Sequence, residues 1–269
     1  MSTVFTLGRA SEDGTPSAYS RLVTFLLYLR KIVVVLAKGV PWVFESRFRV
    51  CRCCQRPSLI ISFGRGDERK KCIRCRANLR YELLAEAVRK LAFDPDRTAL
   101  VEFDPNSALR RGFADYRHYT RTFYSTRYRS GYVRDDGAIC EDITALTFPD
   151  DSVDVMITSE VLEHVPDIRA AFKETARVLK ENGVHIFTVP TRDVTRQRAR
   201  LEPDGSVRCL DDPEMHSDPL NPRGILVFWD IGPDLPSFLN LPELKFEVLV
   251  GQEGRDRRFV WCARKLPQR

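Results

Sequence analysis

Short apolar runs alternate with longer amphipathic ones over most of the chain. YELLAEAVRKLAF (81–93) has the helical repeat, and TALVEF (98–103) reads as a short buried strand. NSALRRGFADY (106–116) predicts a helix, and AICEDI (138–143) and SVDVMITS (152–159) predict strands. DIRAAFKETARVLKENG (167–183) predicts a helix whose core face is Ile168, Ala171, Phe172, Thr175, Val178 and Leu179, with Asn182-Gly183 as its C-cap. VHIFTVP (184–190) and ILVFW (225–229) follow as strands, then a short helix LPSFLNL (235–241) and strands FEVLV (246–250) and RFVWCAR (258–264). Strand–helix alternation predicts an α/β fold with a mostly parallel sheet covered on both faces. The link GQEGRDR between the last two strands is too short for a crossover, so the sheet should end in an antiparallel hairpin.

The front of the chain breaks this rhythm. Residues 1–20 are polar and turn-rich and read as a tail. The most apolar stretch, LVTFLLYLRKIVVVLAKGVPWVF (22–44), carries a stripe of Leu22, Phe25, Leu26, Leu29, Val33 and Leu36. Arg30, Lys31 and Lys38 interrupt it too often for a spanning helix. The segment 21–48 therefore predicts an amphipathic helix packed on the body. The alternatives are peripheral contact with a membrane surface through 21–44, or a strand at the β-branched run 32–35. No secretory pattern opens the chain, which places the protein in the cytoplasm, membrane-peripheral on the second reading.

Composition adds an asymmetry of charge. The 43% apolar content is enough for a real core, and the net charge is +6. Residues 45–80 alone hold eleven Lys and Arg against three acids, so one small module carries the basicity. The same module, 49–80, contains two C-x-x-C pairs, Cys51/Cys54 and Cys72/Cys75, with seventeen residues between them. Each pair can present two thiolates to one ion, and two pairs complete a tetrahedron, so the spacing predicts a structural zinc ribbon. Four thiolates leave no open position for a substrate. Two disulfides would need an oxidising compartment for which the sequence gives no sign. Cys53 is a spare thiol, and Cys140, Cys209 and Cys262 read as scattered core or surface residues.

SEVLEHVPD (159–167) follows a predicted strand and carries Glu160, Glu163 and His164. In a helix these three would share one face. Ligands of mostly parallel sheets bind at the carboxyl ends of strands, which is where this segment falls. His164 suits a general base, since an imidazole titrates near working pH. Glu163 would face an acceptor with it or brace the following helix, whose first turn Pro166 would open. His216, in a Pro/Asp-rich insertion (190–224) able to lid the site, is a second candidate, whereas His118 and His185 read as structural.

The run ICEDITALTFPDDSVDVMITSEVLEHVPDIRAAFKETARVLKENGVHIFTVP (139–190) resembles the class I S-adenosylmethionine-dependent methyltransferases of the type 11 group. It has that group's acid after the third strand, its L-x-F-P-D-x-S-x-D, its L-E-H-V-x-D, and a helix ending R-V-L-K-x-x-G. The ribbon and DPEMHSDPLNPRGILVFWDIG (212–232) are similar to a bacterial subgroup of these enzymes. The resemblance implies a Rossmann-like domain over 81–269 that binds S-adenosylmethionine. Glu102 and Asp104 would lie in the first turn, Asp142 and Ile143 at the adenine, and Ser159 and Glu160 at the cofactor's cationic end. The first turn, EFDPNSALRRG, lacks the family's glycines, and no acid follows the second strand in TFYSTRYRSG (122–131) to bind ribose. The Glu160-x-x-Glu163-His164 pattern also resembles an acidic/His cluster that binds a divalent ion in ubiquinone-pathway and small-RNA O-methyltransferases.

The leading expectation is methyl transfer to a hydroxyl of a small molecule or a sugar or glycan intermediate. Two alternatives stand beside it. The basic ribbon could hold nucleic acid and make the protein an RNA methyltransferase, although Phe63 is its sole stacking candidate. Or the fold could be a degenerate methyltransferase used as a binding protein.

Overall fold

The computed structural model describes residues 44–64, 66–217, 224–252 and 258–267, together with Val33. The polar tail and nearly all of the apolar segment 21–44 lie outside the described residues. The far end of the predicted 21–48 helix is not helical, because Arg47 and Phe48 begin a strand.

That strand, β1 (Arg47–Val50), forms an antiparallel three-stranded sheet with β2 (Pro57–Ser62) and β3 (Lys70–Cys72), in the order β1-β2-β3. The Cys51–Cys54 turn follows β1, and Cys75 lies just past β3, as a ribbon requires. Helix α1 (Leu79–Lys90) starts at Asn78, whose side chain accepts from the Tyr81 N–H at 3.2 Å. Leu83, Leu84, Ala87 and Val88 of α1 share one buried cluster with Cys51, Cys53, Cys72 and Cys75 of the ribbon. The cluster continues into Leu100, Val155 and Ile186 of the main sheet, so ribbon and body share one core.

The main sheet uses β4 (Ala99–Glu102), β5 (His118–Phe123), β6 (Ile139–Cys140), β7 (Val153–Ser159), β8 (Leu179–Thr188), β15 (Leu244–Gln252) and β16 (Arg258–Lys265). Its order is β15-β16-β8-β7-β4-β5-β6. The pairs from β6 across to β8 are parallel, and β16 runs antiparallel to both β8 and β15. The chain thus winds outward from β4 to β6, returns at β7 and winds the other way. The point of reversal lies between β4 and β7. The mostly parallel sheet and its terminal antiparallel hairpin are as the sequence predicts, with the last strand inserted inside the hairpin's edge strand.

Helix α3 (Ile168–Val178) covers one face and buries Ile168, Ala171, Phe172, Thr175, Ala176 and Val178. It stops five residues earlier than 183, the predicted end. Leu179 is extended and pairs with Val153 as the first residue of β8, and the next paired residue of β8 is Val184, opposite Val155. Residues 180–183 bulge out between them, with Asn182 at φ 62°. A Cβ on Gly183 would lie 2.8 Å from the Lys180 carbonyl oxygen and 3.0 Å from that of Val153. Asn182-Gly183 therefore shapes the entry of a strand and does not cap the helix. Pro166 precedes Asp167, the residue that caps α3 by accepting from the Ala170 N–H at 2.9 Å. The predicted helix 106–116 is also shorter, reduced to α2 (Leu109–Gly112).

Between β8 and α4 (Leu235–Leu239) the chain makes nested two-strand ladders. They pair β9 (Arg196–Gln197) with β14 (Trp229–Asp230), β10 (Ala199–Leu201) with β11 (Val207–Cys209), and β12 (Met215–His216) with β13 (Ile225–Leu226). The predicted strand 225–229 is thus two short ones. Ala199, Val207, Phe228, Trp229 and Ile231 join the core cluster of α3. Part of the insertion, 218–223, lies outside the described residues.

Gly112 fixes how the ribbon sits. An added Cβ there would lie 2.7 Å from the Cys53 carbonyl oxygen, and the Arg89 guanidinium donates to both the Cys53 and the Gly112 carbonyls. Gly112→Ala is expected to cost about 1–3 kcal/mol by overpacking. Urea unfolding of the variant checks it, and an unchanged midpoint would show that the ribbon shifts freely on α2.

Candidate functional site

The carboxyl ends of the parallel strands β4, β6 and β7 lie on one edge of the sheet, β4 and β7 flanking the point where its winding reverses and β6 at the far side of β5, and each is followed or ended by an acid. Glu102 ends β4 and is 2% exposed. Burial pushes its carboxyl up to about 8, against the hydroxyls of Ser107 and Tyr119. Asp104, in the following turn, accepts from the Tyr81 hydroxyl at 2.8 Å and from the Asn106 N–H at 2.8 Å. No residue from 103 to 108 has a positive φ. This turn thus needs no glycine for its backbone. Beyond β5 the position after Phe123 is Tyr124, and Arg121 reaches back to the Pro105 carbonyl oxygen at 2.9 Å.

Asp142 follows β6. Its Oδ1 accepts from both the N–H and the hydroxyl of Thr144, at 2.8 and 2.6 Å, leaving Oδ2 for a ligand. Ile143 beside it is buried. Glu141 is turned the other way and holds Thr147.

β7 ends at Ser159, whose hydroxyl lies 3.4 Å from that of Thr188. The chain then turns sharply at Glu160, φ 56°, into a single 3-10 turn, Leu162–His164. The three groups of SEVLEHVPD accordingly do not share a helical face. Glu160 points toward Arg80 and Arg258, at 3.5 and 3.6 Å, and both arginines also meet Glu68 of the ribbon, at 3.9 and 3.3 Å. Glu163 turns inward and is 1% exposed, and neither of its oxygens has a hydrogen-bond partner. Burial, and then the charge of Glu160, push it up to about 8.

The insertion closes over this turn. The Phe228 N–H donates to the Glu163 carbonyl at 2.8 Å and the Trp229 indole to the Val165 carbonyl at 2.9 Å. His164 Nδ1 lies 2.8 Å from the Leu226 carbonyl oxygen. His216, 52 residues along the chain from His164, stacks edge-on against it at 4.9 Å between ring centres. The structure therefore brings Glu163, His164 and His216 together and sends Glu160 elsewhere. His185 is structural, fully buried between Thr158 and Thr175, and burial lowers it to about 3.

In the ribbon one sulfur each of Cys51, Cys54, Cys72 and Cys75 lie within 4.8 Å of one another. Cys53 is not among them; its thiol lies 3.5 Å from the Ala108 carbonyl oxygen. Ser58 Oγ lies 3.1 Å from Cys72 Sγ, and Glu82 of α1 lies beneath Cys51 and pairs with Arg49 at 2.8 Å. Sequence reading missed Arg80, Arg258 and Glu68, because only the fold brings these distant charges to Glu160.

Residues 109–187 match the family model described as Methyltransferase domain. The match begins just past the glycine-free turn. Among curated proteins none matches the chain. Similar solved structures include a methyltransferase from Methanosarcina mazei, 17% identical, covering 67% of this chain and 98% of its own, with a TM-score of 0.41. An S-adenosylmethionine-dependent methyltransferase from Mesorhizobium loti is 15% identical, covering 67% and 97%, with a TM-score of 0.43. The 1,6-didemethyltoxoflavin-N1-methyltransferase of Burkholderia thailandensis, solved with S-adenosylhomocysteine, is 13% identical, covering 69% and 77%, with a TM-score of 0.44. The chain carries a methyltransferase domain.

Glu102 gives the site a pH signature. In the unfolded chain it ionises near 4.5, in the fold near 8. Its contribution to stability is full below the lower value and is lost as pH rises through the higher. Glu102→Gln, which stays neutral, is expected to gain in melting temperature on the parent steadily from pH 4.5 to 8. Parallel melting curves across that range would mean that Glu102 is already ionised in the fold.

Proposed function

We propose that the strand-end site binds S-adenosylmethionine and that the protein methylates a hydroxyl of a small molecule or glycan intermediate. The observation that carries this reading is the placement of Glu102, Asp142, Ser159 and Glu160 at the carboxyl ends of the parallel strands β4, β6 and β7, inside or beside the matched domain. The residues fit the group. Asp142 Oδ2 can accept from an amino group at the adenine, and Ile143 offers an apolar contact for the ring. Asp104 supplies negative charge for a cationic ligand, Glu102 a buried carboxyl that holds its proton below about 8, Glu160 a carboxylate shared with Arg80 and Arg258, and Ser159 a hydroxyl. When bound, the cofactor supplies an electrophilic methyl group on a positively charged sulfur.

The chain's own residues do the rest. Arg80 and Arg258 hold Glu160 in place and are suited to an anionic end of a ligand. Glu163, His164 and His216 supply the basic groups of the acceptor side. Nδ1 of His164 faces a carbonyl, which can only accept, so it carries the proton and Nε2 keeps its lone pair.

The second part of the proposal is a structural zinc ion held by Cys51, Cys54, Cys72 and Cys75. Four sulfurs this close suit a tetrahedral ion, and four thiolates without a cation would repel one another. Part of the ribbon's basic charge is taken up by acids, Arg49 with Glu82, Arg52 with Glu86, Lys70 with Glu45 and Arg80 with Glu68 and Glu160. That favours a small acceptor over nucleic acid. Among the described residues no helix is long and apolar enough to cross a membrane.

Two measurements test these readings. In calorimetric titration with S-adenosylmethionine, Asp142→Ala should weaken binding by about 1–3 kcal/mol, the cost of leaving a buried donor unpaired. Equal affinity in parent and variant would move the adenine elsewhere, and no binding to the parent would favour the degenerate-fold reading. Cys72→Ser should lose one equivalent of zinc by elemental analysis and unfold at lower temperature. Full retention of metal would remove the ribbon site.

A further inference from the structure

The three strands of the ribbon have two faces of opposite character. In an antiparallel sheet, paired residues share a face, and every second residue along a strand returns to it. One face carries Ser58, Ile60, Ser62 and Cys72, all buried. Arg49, paired with Ser58, lies on that face and meets Glu82 of α1, so this side looks toward the body. The other face carries Phe48, Val50, Leu59 and Ile61. Phe48 pairs with Leu59 and Val50 with Pro57. The Ile73 N–H donates to the Leu59 carbonyl at 3.1 Å, which carries the ladder one residue past Cys72. Phe48, Leu59 and Ile73 therefore form one row across all three strands.

This arrangement is inverted for a sheet that faces water. Two serines point inward, while Phe48 is 75% exposed and Val50 and Ile73 are each 54% exposed. A lone apolar residue at a surface needs no explanation, but a contiguous row of them marks a surface that something covers.

The charge around the row says what that cover is. Lys71 lies opposite Ile61 on the same face. Arg56 and Arg74, neighbours in the chain of Pro57 and Ile73, are exposed and have no acidic partner among the described residues. The chain that runs directly into the ribbon, 21–44, holds four bases and no acid, and it brings Trp42 and the exposed Phe44 up to β1. Residues 45–80 add eleven bases against three acids. Val33, in the apolar stripe of 22–44, is 59% exposed, so at that residue the stripe is not packed on the body. Covering the row with 22–44 itself, or with a second copy of the ribbon, would bring like charges together. An anionic surface is complementary to them, and aromatic residues suit its boundary with the apolar interior.

We propose that the outer face of the ribbon, the row Phe48, Leu59 and Ile73 with Val50 beside it, docks on an anionic lipid bilayer, with Phe44 and the apolar segment before it entering the same interface. The apolar side chains enter the boundary between headgroups and acyl chains, and the bases meet the lipid phosphates. Reversible membrane binding needs both, because either alone is weak. The opposite face of the ribbon shares a core with α1 and the main sheet, so docking holds the strand-end site in a fixed attitude to the bilayer. The proposal does not depend on the methyl-transfer reading.

The test sediments the full zinc-loaded chain with vesicles of phosphatidylcholine alone and of phosphatidylcholine and phosphatidylglycerol in equal parts. The parent should bind the anionic vesicles only, and less as salt is raised. Phe48→Ser combined with Ile73→Ser should weaken that binding about tenfold or more. Zinc content, circular dichroism and melting temperature should match the parent, because both side chains are exposed. Arg56→Gln should weaken it about fivefold, the share of one base near an anionic surface. Equal binding by the parent and the double variant overturns the proposal, whether charge alone holds the chain on the vesicles or the bases of the ribbon serve RNA. Equal binding of the parent to neutral and anionic vesicles overturns it too, as does failure to bind either. In that last case a double variant that melts lower identifies another part of this chain as the cover, and a change in oligomeric state by light scattering identifies a second copy.

Discussion

Three carboxylates gathered at one edge of a parallel sheet set the terms for everything around them. Glu102, Glu160 and Glu163 all emerge near strand ends, where burial penalises charge. Each is compensated differently. Glu102 keeps its proton and meets the Tyr119 hydroxyl. Glu160 is answered by Arg80 and Arg258. Glu163 is raised by burial and faces two imidazoles. The separation depends on one backbone torsion, the positive φ of Glu160, which parts it from Glu163 within a single turn.

The compensation reaches into both attached modules. Glu68 of the ribbon shares Arg80 and Arg258 with Glu160, and the Asn78 amide that opens α1 also donates to Glu68. The ribbon is thus bound to the site electrostatically as well as through the core that joins its cysteines to α1. A buried ion pair is weak ground for stability but strong ground for specificity of placement, because removing one partner strands the other. Part of the basic character of the ribbon, which on the alternative reading would hold nucleic acid, goes into the acids of α1 and of the strand-end site.

The insertion does for Glu163 what the ribbon does for Glu160. Its backbone bonds the turn from Glu163 to Val165, and an arginine network around Asp230 makes it rigid: Arg192, Arg196 and Arg198 lie at 3.5, 2.8 and 3.2 Å from that carboxylate. His216 is held against His164 by the pairing of β12 with β13, which sets Met215 opposite Leu226 and His216 opposite Ile225. A segment that reads as a polar loop is an ordered cover over the described part of its length.

Local pattern determined a good deal of this protein. The apolar periodicities carried the alternation of strands and helices, and the link before 258 required an antiparallel end to the sheet. The spacing of Cys51, Cys54, Cys72 and Cys75 foretold a four-sulfur cluster, because knuckle geometry is a property of a few adjacent residues. Glu102, Asp142 and Ser159 could be placed at strand ends for the same reason. Boundaries were less legible where two local rules competed. Asn182-Gly183 suits a helix cap, yet Leu179 already belongs to β8, because its pairing with Val153 is a long-range contact that no local signal encodes. Glu160, Glu163 and His164 have helical spacing, but the chain leaves β7 through a left-handed residue. Only the tertiary structure decided which of those groups stand together, and it alone chose His216 as the third. Their partners lie 52 to 98 residues away along the chain, and such distances are closed by the packing of ribbon, sheet and insertion, not by anything a short stretch of sequence can specify.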